Sequence, residues 1–419
     1  MKKLNRCLYL ALSLAALWLA PHTMGAANRL RLHVVPEGNG VFLSPAKAKA
    51  LVSVVGQTGD TAVLTLEVLT DDHQTVMSVK QALRLTADSL STAVELQLPS
   101  PGFYRLRLSA ENAETVERNI GYEPERIVSL SDAQPDFDAF WQQALDELAT
   151  VAPEYTISEE KDKSGKARKV YLVRMKSLDG EPISAYLTMP VKRGRYPALI
   201  HYMGYHNKPW YAKPEDHPGW VELVLSVRGQ SLQEPTNHYG EWICYGLESP
   251  KTYYYRGAYM DCIRAIDYMC TLPQVDQRNL FAEGGSQGGA FTYVACALDH
   301  RIQAACPWIP FMNDFPDYFR IEPWPANLVL KQGRQLGMSD SDIYRVLSYF
   351  DIKNFARRVR CPILMGWGLQ DHTCPPHTNF AGYNLLGVEK QQVVYPKADH
   401  IDLPGFPDME MDFFRKHLK

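Results

Sequence analysis

One stretch in the second half of the chain constrains the fold more than any other. Residues 279–298 read NLFAEGGSQGGAFTYVACAL, so a short apolar segment meets Ser286 between two pairs of glycines and continues into small and apolar residues. This order predicts a buried strand, a sharp turn and a helix. Glycines suit such a turn because its backbone passes too close to neighbouring segments for larger side chains. The alternative is an ordinary glycine-rich loop in which Ser286 is solvated.

The surrounding sequence indicates the kind of sheet to which this strand belongs. From residue 136 onwards, short apolar segments alternate with helical patterns. The predicted strands include KVYLVRMKS, ISAYLTMP, YPALIHYMG, VELVLSVRG, IQAACPWIP, CPILMGWG and QQVVYP. Strands that alternate with helices predict an α/β fold, in which helices cover both faces of a mostly parallel sheet.

The first part of the chain has a different character. Residues 27–122 contain segments such as LRLHVV, AVLTLEVLT and FYRLRLSA, in which apolar and polar residues alternate. Together with the Gly, Pro, Asn and Asp residues between them, these segments predict an immunoglobulin-like β-sandwich, an accessory domain for support or binding. Residues 123–135 are polar, carry two prolines and are predicted to be a linker. The α/β domain is then expected to occupy residues 136–419.

The N-terminus is predicted to direct export. Lys2, Lys3 and Arg6 flank or precede the apolar run CLYLALSLAALWLA, and small residues follow it. Basic, apolar and small residues in this order are typical of a secretory signal peptide, here residues 1–26. The run is short for a membrane span, and an uncleaved anchor is the alternative. We therefore expect a periplasmic or extracellular protein without a stable membrane anchor.

Net charge bears on the kind of binding partner, and cysteine usage bears on the expected disulfides. The net charge is −3 and no dense basic run occurs, which argues against a nucleic-acid-binding surface. Seven cysteines follow the predicted signal peptide, and none belongs to a Cys-x-x-Cys pair. We expect most of them to be small buried hydrophobic residues, with one or two disulfides as the alternative in an oxidising compartment.

A nucleophilic serine needs a base that is held by an acid. When the serine lies on a strand-to-helix turn, the chain order is serine, acid, histidine. His400 follows the predicted strand QQVVYP, and Asp371 follows the strand CPILMGWG, so both occupy the expected loops. Asp399 is the rival acid and His372 the rival base. Each is adjacent in sequence to its proposed partner, and neighbours in an extended loop point apart.

The reaction of an ester with serine also requires donors for the developing oxyanion. The backbone N–H of Gln287, directly after the serine, is one candidate. Tyr205 and its neighbours, in the loop after YPALIHYMG, are candidates for the second, although Tyr205 could instead be an aromatic cover of the cleft. The histidines lack metal-ligand spacing, and no phosphate-binding or dinucleotide-binding motif occurs. We expect neither a metal nor an organic cofactor.

Several stretches together resemble a known family. They include DFDAFW, VRGQS, TYYYRGAYMDCIRAIDYM, GGSQGG, the segment that leads to LQDHTCPP, and FFRKHLK. Arg228, Gly229 and Gln230 match an Arg-Gly-Gln signature, and the run from Gly284 through Gly288 to Gly289 matches Gly-x-Ser-Gln-Gly-Gly. These residues, spread over about two thirds of the chain, are similar to carbohydrate esterase family seven, the acetyl xylan esterases and cephalosporin C deacetylases.

The resemblance implies an α/β-hydrolase fold and removal of short acyl groups, chiefly acetate, from carbohydrate hydroxyls. It implies Ser286 as nucleophile, Asp371 as acid and His400 as base. It implies that Tyr205 and Gln287 donate their backbone N–H groups to the oxyanion. No metal or organic cofactor is implied. Members often form ring-like hexamers, so the resemblance also implies a homo-oligomer.

The chain departs from the family pattern at two points. The His-Glu signature has Ile401 after His400, and the His-Gly-Tyr of the oxyanion loop begins with Met203. The first hypothesis for function is an exported serine carboxylesterase that deacetylates xylo-oligosaccharides or similar small acetyl esters. The second is an esterase for bulkier acyl groups, or a serine peptidase with an accessory β domain. The third is a catalytically weak glycan-binding protein.

Overall fold

The computed structural model describes residues 30–44, 48–401 and 403–419. The predicted signal peptide, residues 1–26, lies outside the described residues. Within the described part, the chain forms an N-terminal pair of β-sheets and a larger α/β unit. Between them, β8 ends at Tyr122 and α1 begins at Phe137, and the intervening segment contains a short 3-10 helix, Pro124–Arg126.

The N-terminal sheets share one hydrophobic core. One sheet has the strand order β1-β3-β6, and the other has the order β2-β8-β7-β4-β5. Alternate residues of β1, such as Leu32 and Val34, point into the core with residues of β4 and β7, such as Val68 and Leu106. The strands are β1 (Arg31–Pro36), β2 (Val41–Phe42), β3 (Lys49–Val55), β4 (Thr61–Thr70), β5 (Thr75–Arg84), β6 (Ser89–Glu95), β7 (Gly102–Ser109) and β8 (Val116–Tyr122).

The α/β unit is built on a nine-stranded sheet with the order β17-β16-β15-β14-β12-β13-β11-β10-β9. Neighbours from β13 to β17 in this order pair in parallel, whereas β9, β10 and β11 add an antiparallel edge. The strands are β9 (Thr156–Glu159), β10 (Arg168–Lys176), β11 (Pro182–Pro190), β12 (Tyr196–Tyr202), β13 (Val221–Ser226), β14 (Val275–Gly285), β15 (Ala304–Trp308), β16 (Ile363–Gly368) and β17 (Lys390–Tyr395).

Helices cover this sheet, as an unbroken run of buried strand residues requires. Every residue of β13 is buried, for example, because it has neighbours on both faces. The helices are α1 (Phe137–Thr150), α2 (Tyr254–Thr271), α3 (Gln287–Leu298), α4 (Phe315–Ile321), α5 (Ala326–Gln335), α6 (Asp340–Leu347), α7 (Lys353–Ala356), α8 (Pro376–Leu385) and α9 (Phe406–Lys416). The α/β class that the sequence predicts is confirmed, with N-terminal antiparallel sheets in front of it.

Two further sequence expectations concern cysteines and membranes. The seven described cysteines are all unpaired, and five of them are buried; they are Cys244, Cys262, Cys270, Cys296, Cys306, Cys361 and Cys374. Their small apolar side chains fill the interior, and no disulfide is formed among them. A search of the described residues finds no helix with the length and hydropathy that a bilayer crossing requires.

Helix α9 buries a carboxyl group that should make stability depend on pH. Burial, with a contribution from Glu283, raises the pKa of Glu410 well above its usual value, and its Oε1 has no hydrogen-bond partner among the described residues. An acid with a raised folded-state pKa binds its proton more tightly when folded, so stability falls as pH rises above about 4.3, the pKa of an exposed glutamate.

We therefore expect Glu410→Gln to gain stability relative to the parent as pH rises. Since one pKa unit corresponds to about 1.4 kcal/mol, the advantage at pH 8 over that at pH 4.5 should reach about 1 kcal/mol or more. Urea unfolding at the two pH values measures it. Asp412→Asn, on the exposed side of the same helix, is the control and should show no such trend. Parallel pH dependence in both variants would contradict the prediction.

Candidate active site

Ser286 occupies a strained turn between β14 and α3. Its backbone has φ 57° and ψ −121°, a conformation that is unfavourable for a residue with a side chain. Neighbouring backbone holds it there: the Ser286 N–H donates to the Trp308 carbonyl at 3.1 Å, and the Phe311 N–H donates to the Ser286 carbonyl at 3.0 Å. The turn predicted from the glycine pattern is therefore present, with Ser286 at its apex.

The glycines around Ser286 allow close approach of backbone segments. A Cβ on Gly288 would lie 2.0 Å from the carbonyl oxygen of Tyr202, at the end of β12. A Cβ on Gly284 would lie 2.5 Å from backbone atoms of Gly288, and one on Gly285 would lie 2.3 Å from the Trp308 ring. The first turn of α3 thus presses directly on the carboxyl ends of two strands, which no larger residue would permit.

Gly288→Ala should consequently destabilise the fold and impair the site together. The added methyl group meets backbone on β12 and cannot be accommodated by a rotamer change, so we expect a loss of at least about 1–3 kcal/mol in the free energy of unfolding. Urea unfolding and ester hydrolysis measure the two effects. Gly387→Ala is the matched control, because a Cβ there meets nothing within 4 Å. Equal stability of the two variants would show that this contact is not restrictive.

The structure brings Ser286, His400 and Asp371 together. His400 Nε2 lies 3.0 Å from Ser286 Oγ, and His400 Nδ1 lies 3.0 Å and 3.2 Å from the two oxygens of Asp371. Asp371 is buried, and its Oδ1 also accepts the backbone N–H groups of Thr373 and Cys374, both at 2.8 Å. Because an ionised carboxylate can only accept hydrogen bonds, the neutral imidazole carries its proton on Nδ1. Its Nε2 is then free to accept the proton of the serine hydroxyl.

The rival residues do not occupy these positions. His372 turns away from the triad: its Nδ1 lies 3.0 Å from Glu322, and its side chain is 53% exposed. Asp399 forms no hydrogen bond to His400 in the part of the chain that the structure describes. Neither residue therefore takes the place of Asp371 or His400 in this hydrogen-bonded arrangement.

The candidate oxyanion donors come from two adjoining segments. Gln287 is the first residue of α3, so its backbone N–H has no acceptor within the helix. Its side-chain Nε2 lies 3.4 Å from the Met203 carbonyl, which places the start of the Tyr205 loop beside the helix terminus. The Tyr205 hydroxyl donates to Glu241 and accepts the Ile243 N–H, so the side chain is fixed away from α3.

The Arg-Gly-Gln segment has a structural explanation that sequence alone does not reveal. The side-chain amides of Gln230 and Gln287 bond to each other in both directions, at 3.0 Å and 3.1 Å. Arg228 donates to both carboxylate oxygens of buried Asp261, at 3.0 Å and 2.7 Å. Between them, Gly229 adopts a φ of 66°, a conformation that favours glycine. The segment thus holds the residue that follows the nucleophile.

Two neighbours of Ser286 carry no recognisable sequence signal. Cys374 Sγ lies 4.0 Å from Ser286 Oγ, and burial raises the pKa of the thiol well above its usual value, so it stays neutral. The rings of Phe311 and Trp324 stack at a centroid distance of 5.4 Å, and Tyr205 packs edge-on against both. Aromatic residues are common throughout this chain, and only the fold shows which of them pack against the Tyr205 ring.

Ile401 stands at the mouth of a separate cavity of about 330 Å³ on the α9 side of the sheet. Ile401 is 75% exposed. At the floor of the cavity, His201 Nδ1 lies 2.5 Å from Glu283 and Nε2 lies 3.2 Å from Glu222. Although burial acts to lower it, these two hydrogen bonds raise the pKa of His201 to about 9, so the imidazole is charged at neutral pH.

Comparison with known proteins matches this sequence to a family. The family model for acetyl xylan esterase (AXE1) matches residues 125–418, which is more than half of the chain. The chain belongs to the acetyl xylan esterase family. It is a serine hydrolase of that family, and the resemblance drawn from its signature segments is confirmed.

Individual relatives show how far the similarity extends. An acetyl esterase of Xylanibacter ruminicola, named Axe7A, is 28% identical over 100% of this chain and 98% of its own length. The solved structure of an acetyl xylan esterase from Paenibacillus sp. R4 has a TM-score of 0.66 and 30% identity, covering 71% of this chain and 99% of its own. Acetyl xylan esterase 1 from Thermoanaerobacterium sp. JW/SL YS485 has a TM-score of 0.64 and 26% identity, covering 71% and 98%. The two solved esterases therefore align with 71% of this chain, whereas the Xylanibacter relative aligns with all of it.

Proposed function

We propose that this protein is an exported carboxylesterase that removes acetyl groups from acetylated xylo-oligosaccharides and similar small acetyl esters. The observation that carries the proposal is the hydrogen-bonded series Ser286, His400 and Asp371, in a chain of the acetyl xylan esterase family. Export is supported by the basic, apolar and small residues of positions 1–26. Cleavage near Ala27, measured by N-terminal sequencing of the protein released by its cell, tests that part.

In the acylation step, Ser286 Oγ attacks the acetyl carbonyl carbon while His400 Nε2 takes the hydroxyl proton. Asp371 stabilises the imidazolium that forms, without itself taking the proton. The backbone N–H groups of Tyr205 and Gln287 donate to the oxyanion of the tetrahedral intermediate. The intermediate collapses when the sugar oxygen leaves with the proton from His400. The products of this step are the free sugar hydroxyl and an acetyl-Ser286 ester.

Deacylation repeats the same steps with water as the nucleophile. His400 takes a proton from a water molecule, whose oxygen attacks the acetyl-Ser286 carbonyl, and the same two N–H groups bind the oxyanion. Collapse returns the proton to Ser286 Oγ and releases acetate. Neither step requires a metal ion or an organic cofactor.

Hydrolysis of a panel of substrates tests the proposal, measured as acetate from the oligosaccharides, p-nitrophenol from the esters and free aniline from the anilide. The panel contains acetylated xylo-oligosaccharides, p-nitrophenyl esters from acetyl to decanoyl, and a peptide anilide. We expect the acetylated oligosaccharides and the acetyl ester to give the highest kcat/KM. Preference for the long acyl esters or cleavage of the anilide would support the bulkier-acyl or peptidase alternative. Glycan binding without hydrolysis of any ester would support the glycan-binding alternative.

A further inference from the structure

The loop that carries Asp371 lies against the N-terminal β-sandwich. Gln370, the residue directly before Asp371, accepts the backbone N–H of Asn119 at 2.9 Å and donates to the Asn119 carbonyl at 3.2 Å. Asn119 belongs to β8 of the sandwich. The Gln370 amide also donates to the Pro396 carbonyl at 2.9 Å, in the loop that leads from β17 to His400. One side chain therefore joins the sandwich, the acid loop and the histidine loop.

The other side of Asp371 contacts the sandwich as well. Arg105, on β7, is only 12% exposed; its Nη2 lies 3.5 Å from both His372 Nδ1 and Glu322 Oε1, and its Nη1 lies 3.7 Å from Glu117 of the sandwich. His372 follows Asp371 directly and lies 3.0 Å from the same Glu322 carboxylate. A guanidinium that is mostly shielded from water and faces a carboxylate of the α/β unit forms a stiffer contact than an exposed ion pair. Residues of the sandwich thus contact both sequence neighbours of Asp371, Gln370 and His372.

Two further contacts fix the elements on which the acid loop is mounted. Phe103 of β7 packs against Trp367 on β16 and Phe380 on α8, with centroid distances of 5.7 Å and 5.8 Å. Asp71, in the turn between β4 and β5, lies 2.6 Å from His377 Nδ1 at the start of α8. The strand before the loop and the helix after it are therefore both docked on the same domain.

We propose that the β-sandwich is a positioning domain for the catalytic acid, and that Gln370 and Arg105 are the residues through which it acts. The inference rests on the triad proposed above. A triad acid orients the imidazole only when its carboxylate is held within a few tenths of an ångström, which requires support for its loop. In this chain the sandwich provides that support.

Full-length Gln370→Met tests the proposal, because methionine keeps the volume of glutamine and removes all three hydrogen bonds. We expect the single-turnover acylation rate with p-nitrophenyl acetate to fall about 10- to 100-fold, since a misplacement of about 1 Å at a reacting group costs up to about 100-fold. The substrate concentration for half-maximal acylation should stay within about twofold. The low-field proton resonance of the His400 Nδ1–H bonded to Asp371, assigned by its absence in His400→Gln, should shift or disappear.

Asn384→Ala is the matched control. Asn384 lies at the far end of α8 and donates two hydrogen bonds of 3.0 Å to the linker carbonyls of Pro124 and Ile127, away from the acid. It should keep the parent acylation rate and the parent resonance. Arg105→Met provides a second route to the same result if Gln370→Met folds poorly. Titration with an organophosphonate gives the concentration of enzyme with a reactive serine. Each acylation rate is divided by that concentration.

The outcomes separate this inference from the proposed function. Parent-like acylation and resonance in both Gln370→Met and Arg105→Met overturn the positioning role. A higher substrate concentration for half-maximal acylation, with an unchanged maximal acylation rate, also overturns it, because the sandwich would then act on substrate binding. Undiminished hydrolysis by Ser286→Ala would refute the proposed triad, and the inference that rests on it would fail as well. Slower acylation at unchanged half-maximal concentration, with an altered resonance, supports it.

Discussion

Replacement of Ser286 by alanine is expected to lower kcat for p-nitrophenyl acetate by about 10⁴-fold or more. The Ser286 hydroxyl lies 3.0 Å from His400 Nε2, and alanine leaves no hydroxyl for that base to activate. Loss of a triad nucleophile removes covalent catalysis and leaves only the contributions of the oxyanion donors and of substrate binding. Hydrolysis corrected for the uncatalysed rate measures the change.

Ser231→Ala is the matched control for this substitution. Ser231 also has a positive φ, 55°, and its buried hydroxyl has no hydrogen-bond partner in the described structure. Alanine is therefore placed at a positive φ at both sites, and only Ser286 has the base beside it. We expect Ser231→Ala to keep kcat within a few-fold of the parent. Similar rates for Ser286→Ala and the parent protein would refute the nucleophile assignment.

The parts of the site that could be predicted from sequence are those whose constraints fall on adjacent residues. The turn at Ser286 needs small residues on both sides because α3 touches β12 and β14 there. The glycines that meet this requirement, Gly284, Gly285 and Gly288, are visible in the sequence. Likewise, a triad residue must follow a strand, and His400 and Asp371 each follow an apolar segment. Fully buried parallel strands are equally visible, since both of their faces require apolar residues.

The parts that could not be predicted depend on polar residues far apart in the chain. Gln230 and Gln287 are separated by 57 residues, and each is an ordinary glutamine until the fold pairs their amides. Gln370 and Asn119 are 251 residues apart, and the Asn119 groups involved are backbone atoms, which leave no trace in the sequence. Strand β5 is similarly absent from the predicted strands, because most of its residues are exposed and show no apolar alternation.

Asp371→Asn is expected to lower kcat by about 10³- to 10⁴-fold while leaving the fold intact. Two backbone N–H groups donate to Oδ1 of Asp371, so the amide oxygen of an asparagine should take that position. The NH₂ group would then face His400 Nδ1 in place of Oδ2, which lies 3.0 Å away in the parent. Since an NH₂ group only donates, His400 must carry its proton on Nε2. A protonated Nε2 cannot accept the hydroxyl proton of Ser286, which explains the size of the loss.

Asp399→Asn distinguishes this explanation from a general effect of charge near the base. Asp399 is adjacent to His400 in sequence and forms no hydrogen bond to it within the described residues, so removal of its charge should change kcat by less than about threefold. Both variants remove one carboxylate from the same region, and only Asp371→Asn changes the tautomer of His400. Comparable losses in the two variants would favour Asp399 as a second acid. A large loss confined to Asp371→Asn, with thermal unfolding unchanged, would establish that the hydrogen bond to Nδ1 is what catalysis requires.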